Sequence, residues 1–134
     1  MAKRRKQIAA LPMRRADGGK LEILLVTSRG SGKWLIPKGR LSRGSSEHTA
    51  AHLEAKEEAG VSGDIERKPL GRYKARKAKR SIQVKVFALK VRKQRSQWKE
   101  QNERRRKWAK PHKAAAFVRD RGLKKLILQV AGKI

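Results

Sequence analysis

Residues 46–61 read SEHTAAHLEAKEEAGV, and this stretch constrains the fold more than any other. Ala50, Ala51, Leu53 and Ala55 favour helix. Ser45 or Ser46 supplies an N-cap, Glu47 sits where the helix dipole favours an acid, and Gly60 supplies the stop. Glu54, Glu57 and Glu58 then share one face, because positions i, i+3 and i+4 are neighbours on a helix. Glu47, seven residues before Glu54, faces roughly the same way. Like charges at this spacing destabilise a helix by about a few tenths of a kcal/mol per pair. Either nearby Lys and Arg or a bound divalent cation must offset that repulsion.

The rest of the chain reads as strands and two further helical stretches. Residues 7–15 form a strand, ADGGK (16–20) a turn, and LEILLVTSR (21–29) a buried strand. Residues 30–46 are loop-like, with glycines and one proline around an apolar WLI. SIQVKVFALKV (81–91) alternates, with Ile82, Val84 and Val86 on one face and Gln83, Lys85 and Phe87 on the other. RKAKR (76–80) is a basic hairpin tip, and the basic loop 92–108 ends in a short strand. KPHKAAAFV (110–118) starts a helix with Pro near its first position. In 121–134, Leu123, Leu126, Ile127 and Val130 line one side of a short amphipathic helix. This mixture is α+β, a sheet packed against helices. It forms one domain over 7–134 behind a basic leader, 1–6.

Composition excludes several classes. The chain has no cysteine, so disulfide frameworks and thiolate metal sites are out, and a reducing compartment is the simplest fit. No 18-residue apolar run exists, and no signal-type segment follows the basic start, so the reading is soluble and cytoplasmic, with no membrane partner. The 38 Lys plus Arg against 11 Asp plus Glu leave a net charge of +27, a field that attracts polyanions without naming one.

WLIPKGRLSRGSSEHTAAHLEAKEEAGV (34–61) resembles the Nudix hydrolase signature. Gly39 starts it, and Glu54, Ala55, Glu57, Glu58, Gly60 and Val61 fall at the required spacing. The flanking RRADGGKLEILLVTSR, SRGSGKWLIPKG and RRRKWAKPHKAAAFV look most like the diphosphoinositol-polyphosphate and diadenosine-polyphosphate branch. The resemblance implies a mixed β-sheet sandwiched between helices. It implies Mg²⁺ or Mn²⁺ held by Glu54, Glu57 and Glu58, and water attacking a phosphorus of a diphosphate in a phosphorylated small molecule. Glu58 is the first choice of base and Glu57 the second. By position, Lys38, Gly39, Arg29, Ser28, Arg14 and Arg80 match residues lining the polyphosphate site of that branch. Arg14 and Arg80 read equally well as plain surface cations. The resemblance also implies a monomer or homodimer.

The chain departs from the signature in places. Its first glutamate is Ser45 and its arginine is Leu53, a joint loss that leaves no unpaired charge. Leu53 is then expected to pack inward, and Glu47 is the candidate to stand in for Ser45. Ser42 and Lys107 replace acids common in the branch. Glu100 and Glu103 are candidate distal acids. His48 and His52, four apart with no third ligand, read as surface histidines, and Trp34 as a core or rim residue. The competing reading is a catalytically weak Nudix-fold module that binds RNA or DNA non-specifically through its charge.

Overall fold

The computed structural model describes residues 5–41, 44–77 and 80–132. Residues 1–4, Ser42 and the centre of the 76–80 hairpin tip lie outside the described residues. Central in the sheet is β1 (Arg5–Arg15), which begins inside the span read as a leader. It runs parallel to β7 (Arg80–Gln94), from Arg5↔Ile82 to Met13↔Lys90. On its other edge β1 pairs antiparallel first with β4 (Lys38–Arg40) and then with β2 (Leu21–Thr27). Pro12, which lacks an N–H for a ladder, falls between those two pairings.

Strand β2 carries β3 (Trp34–Leu35) and β8 (Arg106–Ala109). Strand β7 carries β6 (Gly71–Lys77) along its first half and β5 (Val61–Ile65) along its second. The expected turn after β1 is a short 3₁₀ turn, Asp17–Gly19, with Gly18 at φ 82° and Gly19 at φ 77°. Strand β2 stops at Thr27, two residues before the expected end, because the Ser28 N–H turns to the Lys33 carbonyl at 2.8 Å. The expected loop 30–46 contains β3 and β4, short strands paired to β2 and β1.

Helices cover both faces, so both faces of the long strands are apolar at their centres. Ala9, Leu11, Ile23, Leu25, Val84 and Val86 face α2 (Pro111–Phe117) and α3 (Arg121–Gly132). Leu123, Leu126, Ile127 and Val130 of α3 are all buried there, each worth roughly 1.5–3 kcal/mol. Ile8, Ala10, Leu24, Val26, Phe87 and Leu89 face α1 (Glu47–Ala59). The face of 81–91 that carries Gln83 and Lys85 also carries Phe87, as expected. That residue is buried because α1 lies over it, whereas Gln83 and Lys85 stay half-buried.

Helix α1 forms as its caps dictate. Ser46 Oγ accepts the Thr49 N–H at 3.4 Å, and Gly60, at φ 68°, donates its N–H to the Ala55 and Lys56 carbonyls. Its sheet-facing stripe is Ala50, Ala51, Ala55 and Ala59, small residues that let the helix lie close to β1. No described helix is long and apolar enough to cross a membrane.

Candidate active site

Helix α1 has two flanks of opposite chemistry. Glu54 and Glu58, four residues apart, lie toward β4, and His52 and Lys56, also four apart, lie toward β5. Register makes the first flank a site. Ile8 of β1 faces α1, so its β4 partner Gly39 faces α1 as well. A Cβ on Gly39 would overlap the Glu54 carboxylate, so only glycine lets that side chain lie against the strand.

Glu58 is 3% exposed, the one charged side chain buried this deeply among the described residues. Its Oε1 accepts the Lys38 backbone N–H at 3.3 Å and faces Arg104 Nη1 at 3.7 Å. Burial first, then a hydrogen bond shared with Glu54, push its carboxyl up to about 9, and Arg104 pulls the other way. Two carboxylates held this close favour a shared proton or a cation between them.

Segment 95–105, between β7 and β8, closes the site. Arg104 is 10% exposed; its Nε pairs with Glu100 at 2.6 Å and its Nη1 donates to the Thr27 carbonyl at 3.0 Å. One guanidinium thereby ties Glu58, Glu100 and the end of β2 together. Trp98 Nε1 donates to the Glu58 carbonyl at 3.0 Å, and Arg106 Nη1 donates to the Ala59 carbonyl at 2.8 Å. Both satisfy carbonyls of the last helical turn, where cations are also favoured. The Arg106 guanidinium stacks on the Trp98 ring at 3.9 Å.

The remaining expected residues divide. Glu57 turns toward Lys99 Nζ at 3.8 Å, and among the described residues no three acidic or histidine side chains converge as a metal site. Glu54 and Glu58 are the pair that could hold a hydrated divalent cation. Lys38 contributes its backbone N–H, while its Nζ bonds Gln7 Oε1 at 3.0 Å on the far face of the sheet. Ser28 Oγ hydrogen-bonds Ser31 Oγ and accepts the Lys33 N–H at 3.1 Å. Arg29 reaches Glu103 at 3.5 Å as an exposed pair. Both follow Thr27 directly, beside the Arg104 anchor. Arg14 lies elsewhere: it pairs with Glu22 at 2.9 Å and covers the Trp108 ring at 4.0 Å. It is five residues along β1 from the Ala9↔Lys38 pair, roughly 16 Å at strand rise. Arg80 is exposed on the β6–β7 hairpin.

Three side-chain expectations change. Leu53 is 46% exposed and does not pack inward, because the inward stripe of α1 is alanine. Glu47 does not stand in for Ser45; it binds Lys85 Nζ at 2.9 and 3.0 Å, at the other end of the helix from Glu58. His52 is half-buried and accepts the Gly63 N–H at 3.2 Å, and burial first, then Lys56, hold its pKa below the ordinary value. Trp34 packs at the rim as expected, tilted against Phe117 with Lys107 Nζ over both rings. Sequence reading does not single out Arg104 or Arg106. The one available signal was Glu100 and Arg104 at i and i+4 in a run otherwise rich in cations.

The NUDIX-domain family model matches residues 3–129. This chain belongs to the Nudix family. Among similar proteins of Arabidopsis thaliana, Nudix hydrolase 21, chloroplastic, is 36% identical over 110 residues, 78% of this chain and 54% of that protein. Nudix hydrolase 13, mitochondrial, is 31% identical over 110 residues, 75% of this chain and 54% of that protein. The chain therefore spans about half the length of these two relatives. Its fold is that of a C. elegans Ap4A hydrolase, with a TM-score of 0.80 over 98% of both chains at 21% identity. The Nudix mixed sheet between helices is thus the architecture of this chain.

Proposed function

We propose that this Nudix chain is a metal-dependent pyrophosphohydrolase. Its substrate class is a highly anionic diphosphate compound, such as a dinucleoside polyphosphate or a diphosphoinositol-like molecule. The observation that carries the reading is the Glu54–Glu58 pair, held against the glycine and backbone N–H of β4. The donor set fits a hard cation, since carboxylate oxygens suit Mg²⁺ or Mn²⁺. Glu54 and Glu58 would hold that ion, with Glu57 one turn-face away, and bound there it would supply charge stabilisation to phosphoryl oxygens and acidity to the attacking water.

The chain's own residues do the rest. Glu58 is our first choice to accept the water's proton, and Glu57, engaged by Lys99, the second. Arg104 and the Lys38 N–H hold the Glu58 carboxylate in one orientation. The Gly39 backbone leaves space for phosphate oxygens. Ser28 and Arg29, next to Thr27, are the phosphate contacts best supported by position, and Lys38 acts through its main chain. Arg14 is assigned no phosphate contact, being stacked on Trp108 well along β1. The net charge of +27 would draw such substrates in, and would also draw nucleic acid without sequence preference.

Turnover measured with and without Mg²⁺ or Mn²⁺, over dinucleoside polyphosphates, nucleotide sugars and diphosphoinositols, tests the reading. Glu58→Gln should lose about 10²–10⁴-fold in kcat. No turnover by the wild-type chain, or equal turnover in Glu58→Gln, would sink it.

A further inference from the structure

On the opposite flank of α1, away from Glu54 and Glu58, lies a half-enclosed groove of about 600 Å³. It runs between α1, β5 and segment 95–99. Local backbone features open it. Gly60 ends the helix in the left-handed conformation, with the Trp98 side chain seated against it. At Ser62/Gly63 strand β5 slips register against β7, and the Gly63 N–H turns to His52 instead of to the ladder. Bulges of this kind re-aim a strand and recur beside functional sites.

The charge around this groove is one-sided. Lys56, Arg92, Arg95 and Lys99 line it, with Asp64 the lining acid. Asp64 engages Arg92 at 2.8 Å, and Lys99 reaches out of the groove to Glu57 at 3.8 Å. Lys56 and Arg95 have no ion-pair partner among the described residues. Lys56 and Arg95, unpaired beside the paired Arg92 and Lys99, repel one another, and the concavity focuses their field onto the same small volume. A multiply charged anion removes that repulsion; a single carboxylate would meet only part of it. Trp98 forms an apolar side wall, and the volume falls in the usual range for a small-molecule site, roughly 300–1,000 Å³.

We propose that this groove binds the phosphates of a nucleotide unit, at a second site separate from the carboxylate pair. The ligand is a phosphate-bearing nucleotide, free or as part of a single strand. Lys56 and Arg95 supply the uncompensated charge. The proposal stands whether or not the carboxylate flank is hydrolytic.

The test must separate this groove from the general field of a chain carrying +27. Backbone amide and indole NMR shifts of the full chain are followed in ~0.15 M salt, where exposed charges are largely screened beyond about 8 Å. The probes are a nucleoside monophosphate and a single-stranded hexanucleotide. Expected shifts cluster at Ser62, Gly63, Arg95 and the Trp98 indole. Lys56→Gln/Arg95→Gln, which removes two charge-assisted contacts, should weaken binding by about tenfold or more. Arg67→Gln/Lys68→Gln removes the same charge from the exposed β5–β6 turn and should leave affinity within about twofold. Equal weakening by both double variants, or shifts confined to the Gly39 flank, would overturn the proposal. Tighter binding of the hexanucleotide identifies a strand as the source and tighter binding of the monophosphate a free nucleotide; either result at these residues supports the groove.

Discussion

At Gly39 one missing atom decides where a carboxylate lies. A methyl there would overlap only the far end of the Glu54 side chain, which can swing away at small cost. Gly39→Ala should therefore leave thermal stability within about 1 kcal/mol while lowering kcat by about tenfold or more, through a displaced Glu54. Paired melting and turnover measurements separate the two effects. Glu58 makes a second prediction at this scale. Folded, its carboxyl keeps its proton up to about 9; unfolded, it releases it near the ordinary 4.5. Between those values the folded state binds the extra proton, so rising pH destabilises the metal-free protein. The slope is about 1.4 kcal/mol per pH unit from this group. Glu58→Gln should remove that slope, as denaturant unfolding across pH 5.5 to 8.5 in chelator would reveal.

Among the elements, segment 95–105 anchors the site and was least readable. It has no regular structure, yet the Trp98 indole and the Glu100 N–H hold the Glu58 and Glu57 carbonyls at the end of α1, and Arg104 holds the site. Its residues lie some forty positions from Glu58, so no local pattern could pair them. Helix α1, by contrast, was readable to within a residue because Ser46 and Gly60 act on their own neighbours. Which of its acids converge was not readable. Glu57 and Glu58 are adjacent in sequence, but the close approach of β4 captures one and Lys99 the other. Arg104, distant in sequence, brings a guanidinium to Glu58. Arg104→Ala should cost about 3 kcal/mol or more, because it leaves the largely buried Glu100 carboxylate without its partner. Arg92→Ala, breaking the exposed pair with Asp64, should cost under about 1 kcal/mol. Urea denaturation of both variants checks the ranking.

For the whole molecule, +27 on 134 residues means that compactness is opposed by self-repulsion. Simple monovalent salt should raise the melting temperature, most steeply between ~0.01 and ~0.15 M, where the Debye length falls from about 30 to about 8 Å. A melting temperature that is flat or falling over that range would show that the surface cations are too far apart to matter.

Locally encoded features could be read from the sequence without the fold: the capped helix, the alternating strands, the apolar stripe of α3, and the spacing that marks the Nudix signature. These depend on interactions between residues a few positions apart, and such interactions survive without tertiary context. The fold decided the rest. Phe87 is buried because a helix covers its face, Gly39 meets Glu54 because β4 pairs with β1, and Arg104 reaches Glu58 because β8 brings segment 95–105 back across β2. The same register sends the Lys38 side chain to the opposite face from its N–H. In each case the partner is distant in sequence, and only the sheet's pairing order sets the distance.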